Sequence, residues 1–277
     1  MPELPEVETI CRSLRDHVVG KTLAEVEIQL SRLIKWPTPE DFRSIMTGRT
    51  IEALERRGKY LLFQLSGDWV LVVHLRMTGR LYYRAAGAAA TGSPRVVFHF
   101  AGGDALEYYD TRTLGTLYLL RQNELNRIYG LSSLGPEPLT AEFTPEYLST
   151  GLARRKGKIK SVLLDQAFIG GLGNIYVDES LARAGLHPEQ RAHELTQQEV
   201  IRLHEAINFV IDKGICGNGT TFRDYLDGIG NKGEFQNDLC VYGRKNLPCP
   251  ACGTLIVRTE VGGRGTHFCP QCQPERK

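Results

Sequence analysis

The chain has 277 residues, 42% of them hydrophobic and 24% charged, with a formal net charge of +2 at pH 7. These are the proportions of an ordinary soluble chain, long enough for two domains and a small extra module, and bulk charge announces no nucleic-acid partner. No basic-then-apolar leader opens the sequence and no apolar run is long enough to span a bilayer, so a cytoplasmic protein without a membrane partner is expected.

From Glu6 to Val19, apolar residues at Val7, Ile10, Cys11, Leu14 and Val18 repeat at helical spacing, and Gly20 follows as a stop. Short segments rich in β-formers come next: 23–30, 50–54, 60–65, 69–75, 96–100, 106–109 and 115–120, separated by turn signals such as Ser66-Gly67-Asp68 and Gly102-Gly103-Asp104. Many short strands behind one helix predict a β-sandwich flanked by helices. The Ala/Gly-rich stretch from Ala85 to Ser93 reads as a flexible loop. Composition changes at Gly135-Pro136-Glu137-Pro138, and helices are then expected from Thr144-Pro145, over 158–167, over 174–184 with Gly185 as the stop, and behind a Thr196/Glu199 capping box. The fold class is α+β, and the expected domains are a β-rich unit over 1–135, a helical unit over 136–247 and a C-terminal module over 248–277.

That module carries Cys249, Cys252, Cys269 and Cys272, in the spacing Cys-x2-Cys-x16-Cys-x2-Cys. Two close pairs across a hairpin-sized gap can set four thiolates tetrahedrally around one structural Zn²⁺. Two disulfides are disfavoured, because nothing else suggests an oxidising compartment. The gap reads as two strands joined by a glycine-rich tip bearing Arg264. The single cysteines Cys11, Cys216 and Cys240 are expected to be buried small hydrophobes. Arg154, Arg155, Lys156, Lys158 and Lys160 form an acid-free cluster, suited either to phosphates or to a solvated helix start.

The chain begins Met1-Pro2-Glu3-Leu4-Pro5-Glu6-Val7-Glu8-Thr9. Loss of Met1 leaves a secondary amine on Pro2 with a pKa near ~8, nucleophilic enough at neutral pH to attack a sugar C1′ and form an iminium, with Glu3 beside it as acid or base. The plainer alternative is a frayed terminus. Taken with the four-cysteine finger, this opening resembles that of the bacterial formamidopyrimidine-DNA glycosylases, and the resemblance runs over essentially the whole chain.

The resemblance implies a bifunctional glycosylase/AP lyase of base-excision repair, acting as a monomer on damaged double-stranded DNA and removing oxidised or ring-opened purines. It assigns Pro2 as Schiff-base nucleophile, Glu3 as acid/base, and Lys59 and Arg264 to the subsequent chemistry and the lesion phosphates. It likens His74-Leu75-Arg76-Met77-Thr78-Gly79 to a wedge loop, with Met77 filling the stack and His74 on DNA, and Arg112 to the arginine that meets the orphaned base. Gly170-Gly171-Leu172-Gly173-Asn174 resembles the turn of a helix–two-turns–helix motif, with Asn174 on phosphate, and Lys156, Tyr242 and Arg258 fall at further contacts. The loop from Gly217 to Asp224 resembles a lesion-capping loop. Leu114 stands where many relatives carry an aromatic residue, and Ser93, Pro94 and Arg95 where many have a His-x-His pair. These departures bear on affinity and opposite-base preference. Three other readings are an endonuclease VIII-like enzyme for oxidised pyrimidines, a lesion-binding protein without turnover, and a zinc-ribbon RNA-binding protein.

Overall fold

The computed structural model describes residues 1–89 and 92–276. Two compact units form: Met1–Ser132 with Gly217–Glu234, and Ser133–Cys216 with the C-terminal stretch from Phe235. The first unit holds α1 (Leu4–Val18), β1 (Leu23–Ile28), β2 (Ile34–Trp36), α2 (Pro39–Met46), β3 (Ile51–Arg57), β4 (Tyr60–Leu65), β5 (Trp69–His74), β6 (Gly79–Arg84), β7 (Val96–Phe100), β8 (Ala105–Asp110), β9 (Thr116–Arg121) and α3 (Tyr129–Ser132).

Its strands make a four-stranded sheet in the order β1-β7-β8-β6 and a five-stranded sheet in the order β2-β9-β5-β4-β3. All neighbours are antiparallel except β2 with β9. Residues two apart share a face. Leu61 and Phe63 of β4, Leu71 and Val73 of β5, and Leu117 and Leu119 of β9 therefore join Val26, Leu81, Phe98, Leu106 and Tyr108 of the other sheet in one core. Leu62, Val70, Val72 and Leu120, of the opposite parity, are buried too. Covered on both faces, these central strands read as unbroken apolar runs.

α1 and α2 pack along the outer strands of the sandwich. α1 packs against β3 and β6, α2 against β1 and β2, and these are the end strands of the two sheets. Val7, Ile10, Leu14 and Val18 plug α1 into the core, so truncating Leu14 to Ala should cost roughly 2–5 kcal/mol. Thr38 caps α2 by accepting from Asp41 N at 3.2 Å.

The expected strands over 60–65 and 96–100 coincide with β4 and β7. β2, α2 and β6 were not anticipated. β2 is very short, and β6 alternates buried with half-buried residues, too weak a pattern to stand out. Part of the Ala/Gly loop expected over 85–93 lies outside the described residues.

The second unit contains α4 (Pro145–Ala153), α5 (Ile159–Leu163), α6 (Asn174–Ala184), α7 (Gln197–Cys216), β10 (Val257–Val261) and β11 (Arg264–Phe268). α6 packs on α7 and on β11. Its stop at Gly185 is a left-handed residue, φ 68°, a conformation in which glycine has no Cβ penalty. The capping box before α7 forms as expected, with Glu199 Oε2 accepting from Thr196 N at 2.8 Å. The helix expected over 158–167 is shorter. Asp165 Oδ1 accepts from Ala167 N at 3.0 Å, a local side-chain bond that competes with helix continuation. Cys11 is buried, whereas Cys216 and Cys240 are exposed, which corrects the expectation that all three fill the interior. Among the described residues, no helix is long and apolar enough to cross a membrane.

Candidate active site and nucleic-acid interface

In the first unit, Pro2 and Glu3 are buried at the mouth of α1. Glu3 is the N-cap residue, and its backbone N–H donates to Glu6 Oε2 at 2.8 Å in a capping box. The second oxygen of Glu6 accepts from Thr220 N at 2.8 Å, in the loop that returns from Gly217. Tyr225 Oη donates to Glu6 O at 3.3 Å and to Asn218 O at 3.0 Å. Gly219 has φ +79°, and a Cβ there would stand 2.9 Å from Glu6 Cγ, so this turn fits glycine. The start of α1 and the 217–234 loop are thus one hydrogen-bonded construction. Burial and the nearby Glu6 charge raise the Tyr225 pKa, keeping it a phenol that donates.

Lys59 sits beside Gly58 (φ 56°) in the two-residue turn joining β3 to β4, and only 7% of it is exposed. A surface strand lysine would be solvated; this one is not. Arg56 holds the turn, donating Nη1 to Gly58 O at 3.1 Å while its Nε pairs with Glu8 Oε2 of α1 at 2.7 Å. Burial pushes the Glu8 carboxyl up, but hydrogen bonds and charge from Arg56 and Arg12 outweigh it, and its pKa ends below the usual value.

His74 closes β5, buried, with its ring edge-on to Tyr60 at 4.5 Å. Burial, then the positive charges of Arg76 and Lys59, lower its pKa to about 3. It is therefore a neutral imidazole whose Nδ1 accepts from Arg76 N at 3.0 Å, which leaves the proton on Nε2 as a donor.

Beyond His74 the chain turns through Arg76 in a left-handed conformation, φ 55°. Met77 is 40% exposed and Leu114, on the neighbouring turn, 47%. Buried Asp110 ties the two turns together: Oδ1 accepts from Thr78 Oγ1 at 2.6 Å and Oδ2 from Gly115 N at 2.8 Å. Thr78 Oγ1 in turn accepts from Arg112 N at 3.0 Å. Exposed Met77 and Arg112 thus stand on turns joined by one hydrogen-bonded base, and Met77 is not core filling. Arg95 turns its Nε to Asp110 O at 3.5 Å, on this same base.

In the second unit, the glycine turn brings Asn174 to the start of α6. One amide hydrogen of Asn174 bonds Gly265 O at 2.9 Å. Lys160 is fully buried, donating Nζ to Asp178 Oδ1 at 2.6 Å and to Gly265 O at 3.0 Å, and Asp178 Oδ2 accepts from His267 N at 2.9 Å. The next residue, Glu179, accepts from the backbone N–H groups of Cys240, Val241 and Tyr242 at 2.8, 2.9 and 2.8 Å. Burial raises its pKa despite those donors. One helix therefore anchors both the β10–β11 hairpin, which presents exposed Arg258 and Arg264, and the turn carrying Tyr242, whose ring lies edge-on to His267 at 5.1 Å. The basic cluster divides. Arg154 and Lys156 are exposed, while Lys158 pairs with Glu189, Arg155 covers Phe168, and Lys160 is an internal brace.

The Sγ atoms of Cys249, Cys252, Cys269 and Cys272 lie within 4.8 Å of one another, with Cys249–Cys272 at 3.9 Å and Cys252–Cys269 at 3.5 Å. Tetrahedral zinc with bonds of about 2.3 Å needs sulfurs about 3.8 Å apart. The thiolates fit it and leave no open coordination position. Buried Gln273 braces the knuckle, accepting from Cys269 N at 2.9 Å and donating to Leu186 O at 2.8 Å. Among the described residues this is the sole group of three or more His, Cys, Asp or Glu placed to hold a metal.

Three family descriptions match in sequence: the formamidopyrimidine-DNA glycosylase N-terminal domain over residues 1–117, the H2TH domain of the same enzymes over 134–225, and the zinc finger found in FPG and IleRS over 246–274. A formamidopyrimidine-DNA glycosylase from Desulforamulus reducens is 47% identical over 99% of both chains. The chain belongs to the formamidopyrimidine-DNA glycosylase family. Two similar solved structures are both from Lactococcus lactis, an FPG mutant with a Fapy-dG-containing DNA (36% identical) and Fpg with an abasic-site DNA (37% identical). Each has a TM-score of 0.92 and covers 99% of this chain and 100% of the other. The family's finger domain and the four clustered thiols together define one structural zinc site.

Sequence reasoning missed Glu6, Asp110, Asp178, Glu179 and Gln273, all buried polar groups that organise the family's motifs here. The pair Asp178-Glu179 carried a signal, because two adjacent acids follow directly on the apolar run Ile175-Tyr176-Val177. Asp110 carried none, since the partner through which it ties the two turns together, Thr78, lies 32 residues away.

Proposed function

We propose that this chain is a bifunctional DNA glycosylase and AP lyase of base-excision repair that removes oxidised or ring-opened purines from duplex DNA. The observation that carries this reading is the burial of Pro2 and Glu3 at the capped start of α1, tied through Glu6 to a loop of capping character. A frayed terminus would have neither burial nor bonds.

After Met1 is removed, the Pro2 amine attacks C1′ of the damaged nucleotide. The C1′–base bond breaks, and the base leaves with a proton that Glu3 helps deliver, giving an iminium between Pro2 and the opened sugar. The iminium acidifies C2′, so loss of that proton expels the 3′ phosphate, and a second elimination expels the 5′ phosphate. Lys59, desolvated in its turn, and Arg264, exposed on the hairpin, are assigned to charge and proton handling at the sugar and its phosphates. Met77 and Arg112 fill the place of the extruded nucleotide. His74 offers Nε2–H as a neutral donor, and Lys156, Asn174, Tyr242 and Arg258 hold the phosphate chain. The zinc shapes the finger and takes no part in bond breaking. We assign the enzyme to the bacterial cytoplasm, where its substrate DNA lies.

Excision by the purified, methionine-processed protein, measured side by side on 8-oxoguanine and thymine glycol duplexes, tests the substrate class. Faster release of 8-oxoguanine is expected, and preferential release of thymine glycol would transfer the chain to the endonuclease VIII-like reading. Glu3→Gln should abolish base release while retaining lesion binding.

A further inference from the structure

β2 ends in an exposed pair, Lys35 and Trp36, at the edge of the five-stranded sheet, with Trp36 49% exposed. One half-exposed indole is ordinary by itself; what distinguishes this one is the set of cations around it. Its surroundings define the partner's chemistry. The Arg127 guanidinium lies over the indole, 5.2 Å from its centre, and more than half of that side chain remains solvated. Lys35 Nζ donates to Arg32 O at 2.8 Å, and the Arg32 guanidinium donates to Thr113 Oγ1. Thr113 adjoins Arg112 and adopts a left-handed conformation, φ 54°. The patch is therefore continuous with the turn that presents Arg112. Among the described residues, the ion pair made by its cations Arg32, Lys35 and Arg127 is that of Arg127 with Glu124, at 3.1 Å.

We infer that Arg32, Lys35, Trp36 and Arg127 form a second DNA-contact surface that holds the sugar–phosphate backbone of the undamaged strand, beyond the base opposite the lesion. A polyanion satisfies the excess of cations, and the indole face covers sugar, a combination that an apolar protein partner would leave with desolvated charges. Arg112 is assigned to the orphaned base, so its own turn directs the patch to the strand bearing that base. The inference rests on the proposed DNA-repair reading.

The test is fluorescence anisotropy with an 8-oxoguanine duplex over a range of salt concentrations, using wild type, Arg32→Ala/Lys35→Ala and Lys35→Ala/Arg127→Ala. The second variant keeps the Arg32–Thr113 bond, so it separates phosphate contact from support of the Arg112 turn. Each lost phosphate contact lowers the slope of log affinity against log salt by about 0.9, so each double variant should lose about 1–2 from the slope and roughly tenfold in affinity. Trimming the duplex to a few base pairs on one side of the lesion, but not the other, should erase the difference from wild type. In a Trp69→Phe background Trp36 is the remaining tryptophan, and its emission should change with the long duplex and not with the one trimmed on that side. Unchanged slopes in both double variants, or equal sensitivity to trimming on either side, would overturn the inference. Wild-type excision measured on the same duplex reads the repair assignment separately: excision with unchanged slopes removes only the second surface, whereas absence of excision removes the repair reading.

Discussion

Replacing Lys160 by Met removes one half of a fully buried ion pair. The ammonium makes contacts of 2.6 Å to Asp178 and 3.0 Å to Gly265 O, and neither side chain of the pair reaches solvent. Without it, the Asp178 carboxylate stays desolvated, its Oδ2 bonded to His267 N. Breaking such a pair from one side costs roughly 3–5 kcal/mol, whereas removing both charges is far cheaper. Lys160→Met should therefore destabilise the protein by that amount. Lys160→Met/Asp178→Asn, in which the amide oxygen still accepts from His267, should cost about 1–2 kcal/mol, the loss of one or two hydrogen bonds. Zinc-saturated urea unfolding of wild type, both singles and the double completes the cycle. Additive effects, or a Lys160→Met cost under about 1 kcal/mol, would refute the role of brace argued for this pair.

Three further outcomes follow from the geometry. His74, with a pKa near 3 in the folded state against 6.5 in its absence, binds fewer protons folded than unfolded between those values, so it makes stability fall as pH drops through that window. The slope is up to about 1.4 kcal/mol per pH unit, and urea midpoints from pH 7.5 to 5 should be flatter in His74→Gln. A Cβ on Gly115 would lie 1.7 Å from Tyr108 Oη. Gly115→Ala should therefore cost about 1–3 kcal/mol in thermal unfolding and be partly rescued by Tyr108→Phe. Chelating zinc, or Cys252→Ser, should lower lesion-duplex affinity at least tenfold while leaving the near-ultraviolet circular dichroism of the β-sandwich largely intact; equal affinity with metal removed would contradict a shaping role for the finger.

What was legible in the sequence was local. Capping chemistry located α7, an apolar run located β4, and ligand spacing located the zinc site, because each signal spans a few neighbouring residues. The motif residues Pro2, Lys59, Met77, Arg112, Asn174 and Arg264 stood out through resemblance. What holds them was not legible. Glu6 reaches Thr220, Asp110 reaches Thr78, and Lys160 reaches Gly265, and partners so far apart in the chain leave no periodicity to read. The basic cluster shows the cost of reading charge alone. Lys160 looks like its neighbours in sequence, yet it occupies an apolar position of α5 between buried Ile159 and Val162, and only packing reveals that its charge faces inward.

The central claim is that the Pro2 amine does the chemistry. Borohydride reduction during reaction with a duplex carrying 8-oxoguanine opposite cytosine, followed by peptide mapping, tests it directly. The account predicts a covalent protein–DNA adduct on Pro2 of the methionine-processed chain, lost in Pro2→Gly. A trapped adduct on Lys59 or another amine, or tight lesion binding with no adduct at all, would contradict it.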